Sequence, residues 1–202
     1  EYMTKHQRIV FNGDGYSEDW VEEAERRGLP NIKSMVEATA TLTTDKAVRL
    51  FEKFAIFTKA ELESREEILY ETYAKSINIE ALTMIDMATK QFIPAVVKYT
   101  TTLANSLSAV RSACEEADTS VQKELLIEVS ARLAEAKAAL GRLNDVTAQA
   151  AAQVCAKEKA FAYKDMVFPA MDALRKPIDQ LEMLVDKEAW PVPSYGDLMF
   201  GV

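Results

Sequence analysis

The fold is decided by residues 61–114, which read ELESREEILYETYAKSINIEALTMIDMATKQFIPAVVKYTTTLANSLSAVRSAC. Apolar side chains recur there every three or four residues, and only Glu66 breaks the series. The stripe covers 52 residues in 14 steps, about 3.7 residues per step, which is the period of a nearly straight helix rather than of a strict heptad coiled coil. Its members are Leu62, Leu69, Tyr73, Ile77, Ala81, Met84, Ala88, Phe92, Val96, Tyr99, Leu103, Leu107, Val110 and Cys114.

Pro94 interrupts this helical pattern near its middle. An unbroken helix of this length would be about 80 Å long at ~1.5 Å per residue. Proline removes one backbone hydrogen bond and clashes with the carbonyl of residue 90. Because the apolar stripe keeps its phase on both sides of Pro94, the sequence predicts a kink rather than a break.

Two further segments show the same helical periodicity. Residues 125–154 advance by about 3.6 residues per step and are rich in alanine, which permits close approach of helices. Gly141 lies within this segment and weakens the helix by about 1 kcal/mol relative to alanine. Residues 159–187 form the third segment, in which Pro169 and Pro177 mark kinks or a joint. The apolar positions of the two segments are Leu125, Val129, Leu133, Ala136, Leu140, Leu143, Val146, Ala150 and Val154, then Tyr163, Met166, Met171, Leu174, Ile178, Leu181, Leu184 and Val185.

Shorter elements are predicted before the long helices. Residues 8–11 form an apolar run that is either a short strand or an extended lead-in. A helix is expected over residues 18–27, with Ser17 as its N-cap and Gly28 as its C-terminal cap.

Three more helix starts follow along the chain. Ser34 and Glu37 have the spacing of a capping box, so a short helix is predicted from residue 35. Another helix is expected over residues 45–54. Thr58 and Glu61 form a second capping box, which marks the start of the long helix.

The fold class predicted from these patterns is all-α. There is no glycine between Gly28 and Gly141, although the tight turns of sheets depend on such residues. We therefore expect an antiparallel bundle of long, partly kinked helices, with smaller N-terminal helices and an extended C-terminal tail. The predicted organisation is residues 1–57 as lead-in and short helices, residues 58–189 as the long-helix bundle, and residues 190–202 as the tail.

The tail contains three large aromatic anchors. Trp190, Tyr195 and Phe200 are separated by two prolines and a glycine, which argue against a helix. Such a tail is expected to dock back onto a surface and to bury about 150–250 Å² per aromatic side chain.

Composition narrows the classes of protein and of partner. The chain has 202 residues, of which 49% are hydrophobic and 28% are charged, and its net charge is −8. An acidic surface disfavours nucleic acid and anionic lipid as partners. No apolar run is long enough to cross a membrane, and no apolar segment typical of a signal peptide is visible. A chain that opens on Glu1 rather than methionine is expected to be processed, trimmed or cut from a longer one.

No residue pattern in the sequence is typical of a catalytic site. His6 is the single histidine and lies between Lys5 and Arg8, an unfavourable setting for a general base. No Glu-x-x-His pair and no glycine-rich phosphate loop occurs in the sequence. We therefore predict no catalytic, cofactor-binding or metal-binding residue in this chain.

Other residues that can carry chemistry have structural interpretations. Cys114 and Cys155 are predicted to be small buried thiols. Met84 and Met87 are interpreted as core residues, and Asp86 as part of a salt bridge or of a solvent-exposed face. The glutamates after Thr58 are interpreted as a solvated face near a helix N-terminus.

Four strings carry a resemblance to a known family. They are KHQRIVFNGDGYSEDWVEEAERRGLPN at residues 5–31, SINIEALTMIDMA at residues 76–88, IPAV at residues 93–96 and WPVPSYGDLMF at residues 190–200. The first is similar to the segment just after the catalytic barrel of type III glutamine synthetases, and the last is similar to the C-terminus of that family. Over residues 105–160 only the helical pattern matches. The chain therefore resembles the C-terminal helical region of a large bacterial glutamine synthetase.

The resemblance implies a division of labour within a larger enzyme. The family joins ammonia to glutamate with ATP and Mg²⁺ or Mn²⁺, and it assembles into rings in the cytoplasm. The ligands of nucleotide, metal and glutamate belong to the preceding catalytic portion, so no catalytic residue carries over to this sequence. The expected partners are that catalytic portion and neighbouring subunits of a homo-oligomer, with a structural or regulatory role for this domain and no role for nucleic acid or membrane.

Two other functions remain open from the sequence. The first is a free-standing helical interaction protein related to the enzyme. The second is a bundle that senses a small molecule in a dry pocket near Met84, Met87 and Phe92.

Overall fold

The computed structural model describes residues 1–193 and 195–200, apart from the side chains of Arg8 and Tyr195. Every regular element within these ranges is helical, which confirms the predicted all-α class. The helices are α1 (Tyr2–Lys5), a 3₁₀ turn (Gln7–Ile9), α2 (Glu18–Arg26), α3 (Met35–Thr39), α4 (Asp45–Lys53), α5 (Lys59–Met87), a first π-helical segment (Ala88–Phe92), α6 (Ile93–Ala113), α7 (Ser120–Ala151), α8 (Ala156–Ala162), a second π-helical segment (Tyr163–Val167), α9 (Phe168–Leu184) and α10 (Tyr195–Phe200).

The contacts between residues divide the chain into two compact units. The N-terminal unit is Glu1–Glu66 and the C-terminal unit is Glu67–Val202. The division falls inside α5, whereas the sequence suggested a boundary after residue 57.

The start of the N-terminal unit is helical where the sequence left a choice between strand and extended chain. Residues 8–11 contain the end of the 3₁₀ turn, and Val10 is the first extended residue after it. The guanidinium of Arg27 donates to the carbonyl oxygens of Gln7 and Val10, at 3.2 and 2.6 Å. These bonds satisfy carbonyls that a strand would have paired in a sheet, so α2 fixes the lead-in from the side.

Helix α2 ends as predicted, but the side chain of its N-cap residue does not bond to the helix. Gly28 has φ +68°, and its N–H donates to Glu25 while the next N–H donates to Ala24, which is the Schellman arrangement. Ser17 occupies the N-cap position, yet its hydroxyl donates to the carbonyl of Asp14 at 2.8 Å. The Ser17 side chain therefore makes no capping bond to α2, although Ser17 occupies the predicted position.

Helix α4 begins and ends through local bonds. The Thr44 hydroxyl accepts the N–H of Ala47 at 3.4 Å and caps the first turn. At the other end, Ala55 has φ +50° and occupies the position that Gly28 occupies after α2. The N–H of Ala55 donates to Glu52 and that of Ile56 donates to Phe51, so the Schellman arrangement forms here without glycine.

Both predicted capping boxes involve the expected residues. Ser34 accepts the N–H of Glu37 at 3.2 Å at the start of α3. At the start of α5, the Glu61 N–H donates to the Thr58 hydroxyl at 3.3 Å, and the Glu61 carboxylate accepts the Thr58 N–H at 2.8 Å. The α5 box is thus closed in both directions and satisfies two backbone donors that the helix cannot pair itself.

The apolar core of the N-terminal unit is small. The buried apolar side chains within the described residues of Glu1–Glu66 are Ala24, Val36, Val48 and Leu62. The polar side chain of Thr39 is also buried. A unit of this size with so few buried apolar side chains gains little hydrophobic stabilisation of its own.

In the C-terminal unit, α5 passes into α6 without leaving the helical conformation. Residues 88–92 form a π turn, Phe92 and Ile93 keep right-handed helical angles, and Pro94 is the second residue of α6. The wider π turn accommodates a residue that lacks an N–H and whose ring would collide with an ordinary α-helical turn. The predicted continuity across Pro94 is therefore confirmed, and Pro169 follows the second π turn in the same way.

The apolar stripes form the core as predicted, with exceptions at their ends. Every member of the first stripe is buried or half-buried except Cys114, which lies just beyond α6. Val154 is 98% exposed because α7 stops at Ala151, and Met166 also faces outward. The residues with no exposed surface in this core are Ala81, Val96, Val129, Ala136, Leu143, Ala150, Val167 and Leu181.

A few contacts establish which helices of the C-terminal unit are neighbours. Helix α7 packs against both α6 and α9. The Tyr163 hydroxyl donates to Asn78 Oδ1 at 2.8 Å, and the rings of Phe92 and Trp190 stack with centroids 5.1 Å apart. Asn78 and Phe92 lie on the first long helix, and their partners follow in the same order: Tyr163 starts the second π-helical segment and Trp190 follows α9. The antiparallel course of successive long helices stays a prediction.

The C-terminal tail departs from the extended conformation that was predicted. Trp190 packs on Phe92 as an anchor, but Tyr195–Phe200 is the short helix α10 and Phe200 is 77% exposed. Asp197 lies in the first turn of α10 and pairs with Lys187 at 2.6 Å, which favours a helix after the two prolines. The predicted anchor at Tyr195 and the last two residues lie outside the described side chains and residues.

Replacing Thr58 with alanine is expected to fray the start of α5. The loss of such a cap costs about 0.5–2 kcal/mol of helix stability. The pKa of Glu61 lies below its ordinary value of 4.5 because the carboxylate accepts the Thr58 N–H and then the Thr58 hydroxyl. The variant should therefore raise the pKa of Glu61 toward 4.5, and NMR titration of the carboxylate with amide exchange at Glu61 measures both effects.

The sign of the pH dependence follows from the direction of that shift. A lowered pKa means that the bonds to Glu61 stabilise the fold above about pH 4.5, and that this contribution is lost as the pH falls through the lowered value. Thr58→Ser keeps the hydroxyl and is the matched control. An unchanged pKa of Glu61 in the alanine variant would contradict the assignment.

Gly141→Ala is expected to stabilise α7. A Cβ added at Gly141 meets no neighbouring atom within 4 Å, and the residue lies within the helix on an exposed face. The gain should be about 0.5–1 kcal/mol, measured by urea unfolding. Gly28→Ala is the control, since its φ of +68° should make the same replacement destabilising. The interpretation fails if the two variants shift stability in the same direction.

Candidate interaction surfaces

The residues of this chain that could hold a metal or act in catalysis are dispersed. Among residues 1–193 and 195–200, no three His, Cys, Asp or Glu side chains come together as a possible metal site. His6 is exposed beside α1. Asp86 forms an ion pair with Lys90 one turn later, as the sequence predicted.

The two cysteines are placed differently from the prediction. Cys114 and Cys155 are both free and exposed rather than buried. Cys114 follows the last residue of α6 and Cys155 precedes the first residue of α8, so both lie in connections between helices. Periodicity placed Cys114 on the apolar stripe, but the helix ended one residue before it.

An exposed apolar face lies at the end of α4, and we call it the α4 face. It consists of Leu50, Phe54 and Ile56, whose exposed fractions are 52%, 61% and 57%. Leu50 and Phe54 are four residues apart and share one side of the helix, and Ile56 follows the Schellman turn. Three large apolar side chains grouped in this way form a patch of the kind that marks an interaction site.

Basic residues border the α4 face on one side. Lys46 and Lys53 lie three or four residues from Leu50 and so share its side of α4. The ammonium of Lys53 lies 5.6 Å from the centroid of the Phe54 ring. Asp45 and Glu52 fall on another side of the helix, so the face is basic although the chain carries a net charge of −8.

Aromatic contacts lie close in sequence to the α4 face, at the turn between α4 and α5. The rings of Phe51 and Phe57 have centroids 5.6 Å apart, and both residues are half-buried. The guanidinium of Arg65 lies 4.3 Å from the centroid of the Phe57 ring, within the range of a cation–π interaction. These contacts hold the turn between α4 and α5 in place, so the exposed side chains stand on a supported turn.

A second surface is a groove between α5 and α9 in the C-terminal unit. It has a volume of about 530 Å³, and its apolar lining comes mainly from Ile79, Met84, Phe168 and Met171. Ile79 and Phe168 are 65% and 55% exposed. Its charged residues are Glu80, Asp172 and Arg175.

A third feature is a small recess near the start of α8, with a volume of about 320 Å³. Its lining mixes polar and apolar residues, namely Glu71, Ala74, Lys75, Asn78, Ala151, Val154, Ala156, Lys159 and Tyr163. Tyr163 is 2% exposed, and burial raises the pKa of its phenol. Since the phenol donates to Asn78, this polar pair is satisfied within the protein and needs no ligand.

The structure does not unite the residues proposed for small-molecule sensing. Met84 lines the α5–α9 groove, whereas Phe92 stacks on Trp190. Sequence reasoning also missed the α4 face, because its periodicity resembles that of any amphipathic helix. The signal that could have revealed it is Leu50 and Phe54 on the same side as Lys46 and Lys53, away from Val48.

None of the helices in the described part of the chain combines the length and apolar character needed to cross a bilayer.

Comparison with known proteins gives a consistent family. A family model described as the glutamine synthetase C-terminal domain matches residues 1–111. A glutamine synthetase of Butyrivibrio fibrisolvens is 36% identical over 202 residues, and one of Bacteroides fragilis (strain YCH46) is 35% identical over 204. A type-3 glutamine synthetase of Dictyostelium discoideum is 33% identical over 212 residues.

These alignments cover nearly all of this chain but a minor part of each relative. They include 100%, 99% and 98% of this chain, and 29%, 28% and 28% of the three relatives in the same order. The chain therefore spans less than a third of the length of the curated relatives it matches. The residues that match the family model include α1 to α5 and most of α6, whereas the alignments with the relatives extend through α10. The chain belongs to the glutamine synthetase C-terminal domain family.

Proposed function

We propose that this chain is the C-terminal helical domain of a type III glutamine synthetase. In the parent reaction, glutamate, ammonia and ATP give glutamine, ADP and phosphate. The observation that carries the proposal is that the whole chain aligns with glutamine synthetases while covering 28–29% of their length. The proposal assigns the binding of ATP and of Mg²⁺ or Mn²⁺ to the portion of the enzyme that these alignments leave uncovered.

The role proposed for the domain itself is structural. Its long helices bury their apolar stripes against each other, and its polar pair at Tyr163 and Asn78 is internally satisfied. The apolar surface that it exposes to other molecules includes the α4 face and the α5–α9 groove. Surfaces of this kind suit stable contacts between proteins better than turnover of a small polar substrate.

The proposed partners are the catalytic portion of the enzyme and neighbouring subunits. The α5–α9 groove is the feature that supports a subunit contact, since it exposes Ile79 and Phe168 along two long, supported helices. Assembly into a homo-oligomer and a cytoplasmic, bacterial setting belong to this proposal. The alternative hypothesis is a free-standing interaction protein. The coding sequence upstream of Glu1 distinguishes that protein from a domain of a larger enzyme.

The first experiment compares the 202-residue chain with the polypeptide encoded by the complete reading frame. Glutamine formation from glutamate, ammonia and ATP is expected from the complete polypeptide and not from the chain alone. Turnover by the chain alone would refute its structural role. A reading frame that begins near Glu1, or a complete polypeptide that makes no glutamine, would refute the assignment to an enzyme.

A second prediction concerns assembly of the complete enzyme. The double variant Ile79→Ser/Phe168→Ser should shift the mass measured by light scattering toward smaller species, because it removes apolar area from the groove. The control is Val154→Ser/Met183→Ser, which alters side chains that are 98% and 85% exposed outside the groove. An unchanged mass for the groove variant would contradict the subunit contact.

A further inference from the structure

We propose that the α4 face is the surface through which this domain docks onto the catalytic portion of its own polypeptide. The inference rests on the proposed function, because the occupant is the part of the enzyme that precedes this domain. It assigns that contact to Leu50, Phe54 and Ile56, with Lys46 and Lys53 beside them.

The first argument is the thin core of the unit that carries the face. The N-terminal unit buries only four apolar side chains among its described residues, yet it exposes three large ones together at the end of α4. The C-terminal unit contains the large core that the long helices form. A unit with little core of its own gains most from a permanent cover over an exposed apolar patch.

The second argument is where the rest of the enzyme lies. More than two thirds of each relative falls outside the alignment, and the family is a C-terminal domain, so the proposed catalytic portion joins the N-terminal unit. The α4 face lies within the residues that the family model matches, whereas Phe168, Met171 and Arg175 of the groove lie beyond them. The face is therefore the better candidate for a contact within one polypeptide, and the groove for a contact between subunits.

The third argument is charge. Lys46 and Lys53 give the α4 face a basic edge on a chain whose net charge is −8. The expected occupant on the catalytic portion is therefore an apolar surface with acidic residues at its rim.

Exchange and footprinting in the complete enzyme test the assignment. Amide hydrogen exchange across α4, and hydroxyl-radical labelling of Phe54, are measured in the complete polypeptide and in the 202-residue chain. Burial of the face should slow exchange of α4 and labelling of Phe54 by about tenfold or more in the complete polypeptide. The protection should be independent of protein concentration, since the contact lies within one chain.

A matched pair of variants separates docking from local folding. Leu50→Ser/Phe54→Ser should remove the protection of Ile56 and of the α4 amides in the complete polypeptide. Val121→Ser/Ile127→Ser replaces side chains that are 64% and 59% exposed on α7 and should leave that protection intact. Circular dichroism of the 202-residue chain with each double variant should show retained helix, because all four side chains are largely exposed.

The outcomes are distinct. A complete polypeptide that makes glutamine but labels Phe54 as readily as the isolated chain overturns the docking inference and leaves the proposed function standing. Protection that depends on concentration, or that appears in the isolated chain, assigns the face to a second copy and also overturns it. If the complete reading frame encodes no catalytic portion, the proposed function is overturned, and the docking inference that rests on it is overturned as well.

Discussion

The structure depends on burial of one apolar stripe along α5 and α6. Leu103, Val96, Ala88 and Ala81 on this stripe are almost free of exposed surface, and α7 and α9 provide the core residues that surround it. Each large aliphatic side chain buried in this way contributes about 1.5–3 kcal/mol. Helix α7 packs closely against α6 and α9, and its buried alanines, Ala136, Ala139 and Ala150, permit that approach, so the shape of this core is set by small residues as much as by large ones.

Local chemistry decides where each helix begins and ends around that core. The Thr58–Glu61 box starts the long helix, and the two Schellman turns at Gly28 and Ala55 end short ones. The π turns before Pro94 and Pro169 let two long helices pass a proline without breaking. The π turns keep the apolar stripes in helical register across the prolines, and so they preserve the core that depends on those stripes.

The two compact units differ in how much of their apolar surface they bury. The C-terminal unit buries a large apolar core and pairs the buried Tyr163 hydroxyl with Asn78. The N-terminal unit leaves apolar side chains at the end of α4 in solvent. The docking proposed above would cover this exposed surface, in a chain that spans 28–29% of the length of related glutamine synthetases.

The sequence by itself determined the helical class, the phase of the buried stripes, the capping boxes and the family resemblance, because each depends on residues close together in the chain or on direct similarity. It did not determine the exposure of Cys114, the outward position of Val154 or the helix at Tyr195–Phe200. Those depend on where a helix stops and on pairs such as Lys187 with Asp197, which a periodic pattern does not contain. Only the tertiary structure decided that Leu50 and Phe54 stay exposed while Val48 is buried, since burial depends on which neighbouring elements arrive at each side of a helix.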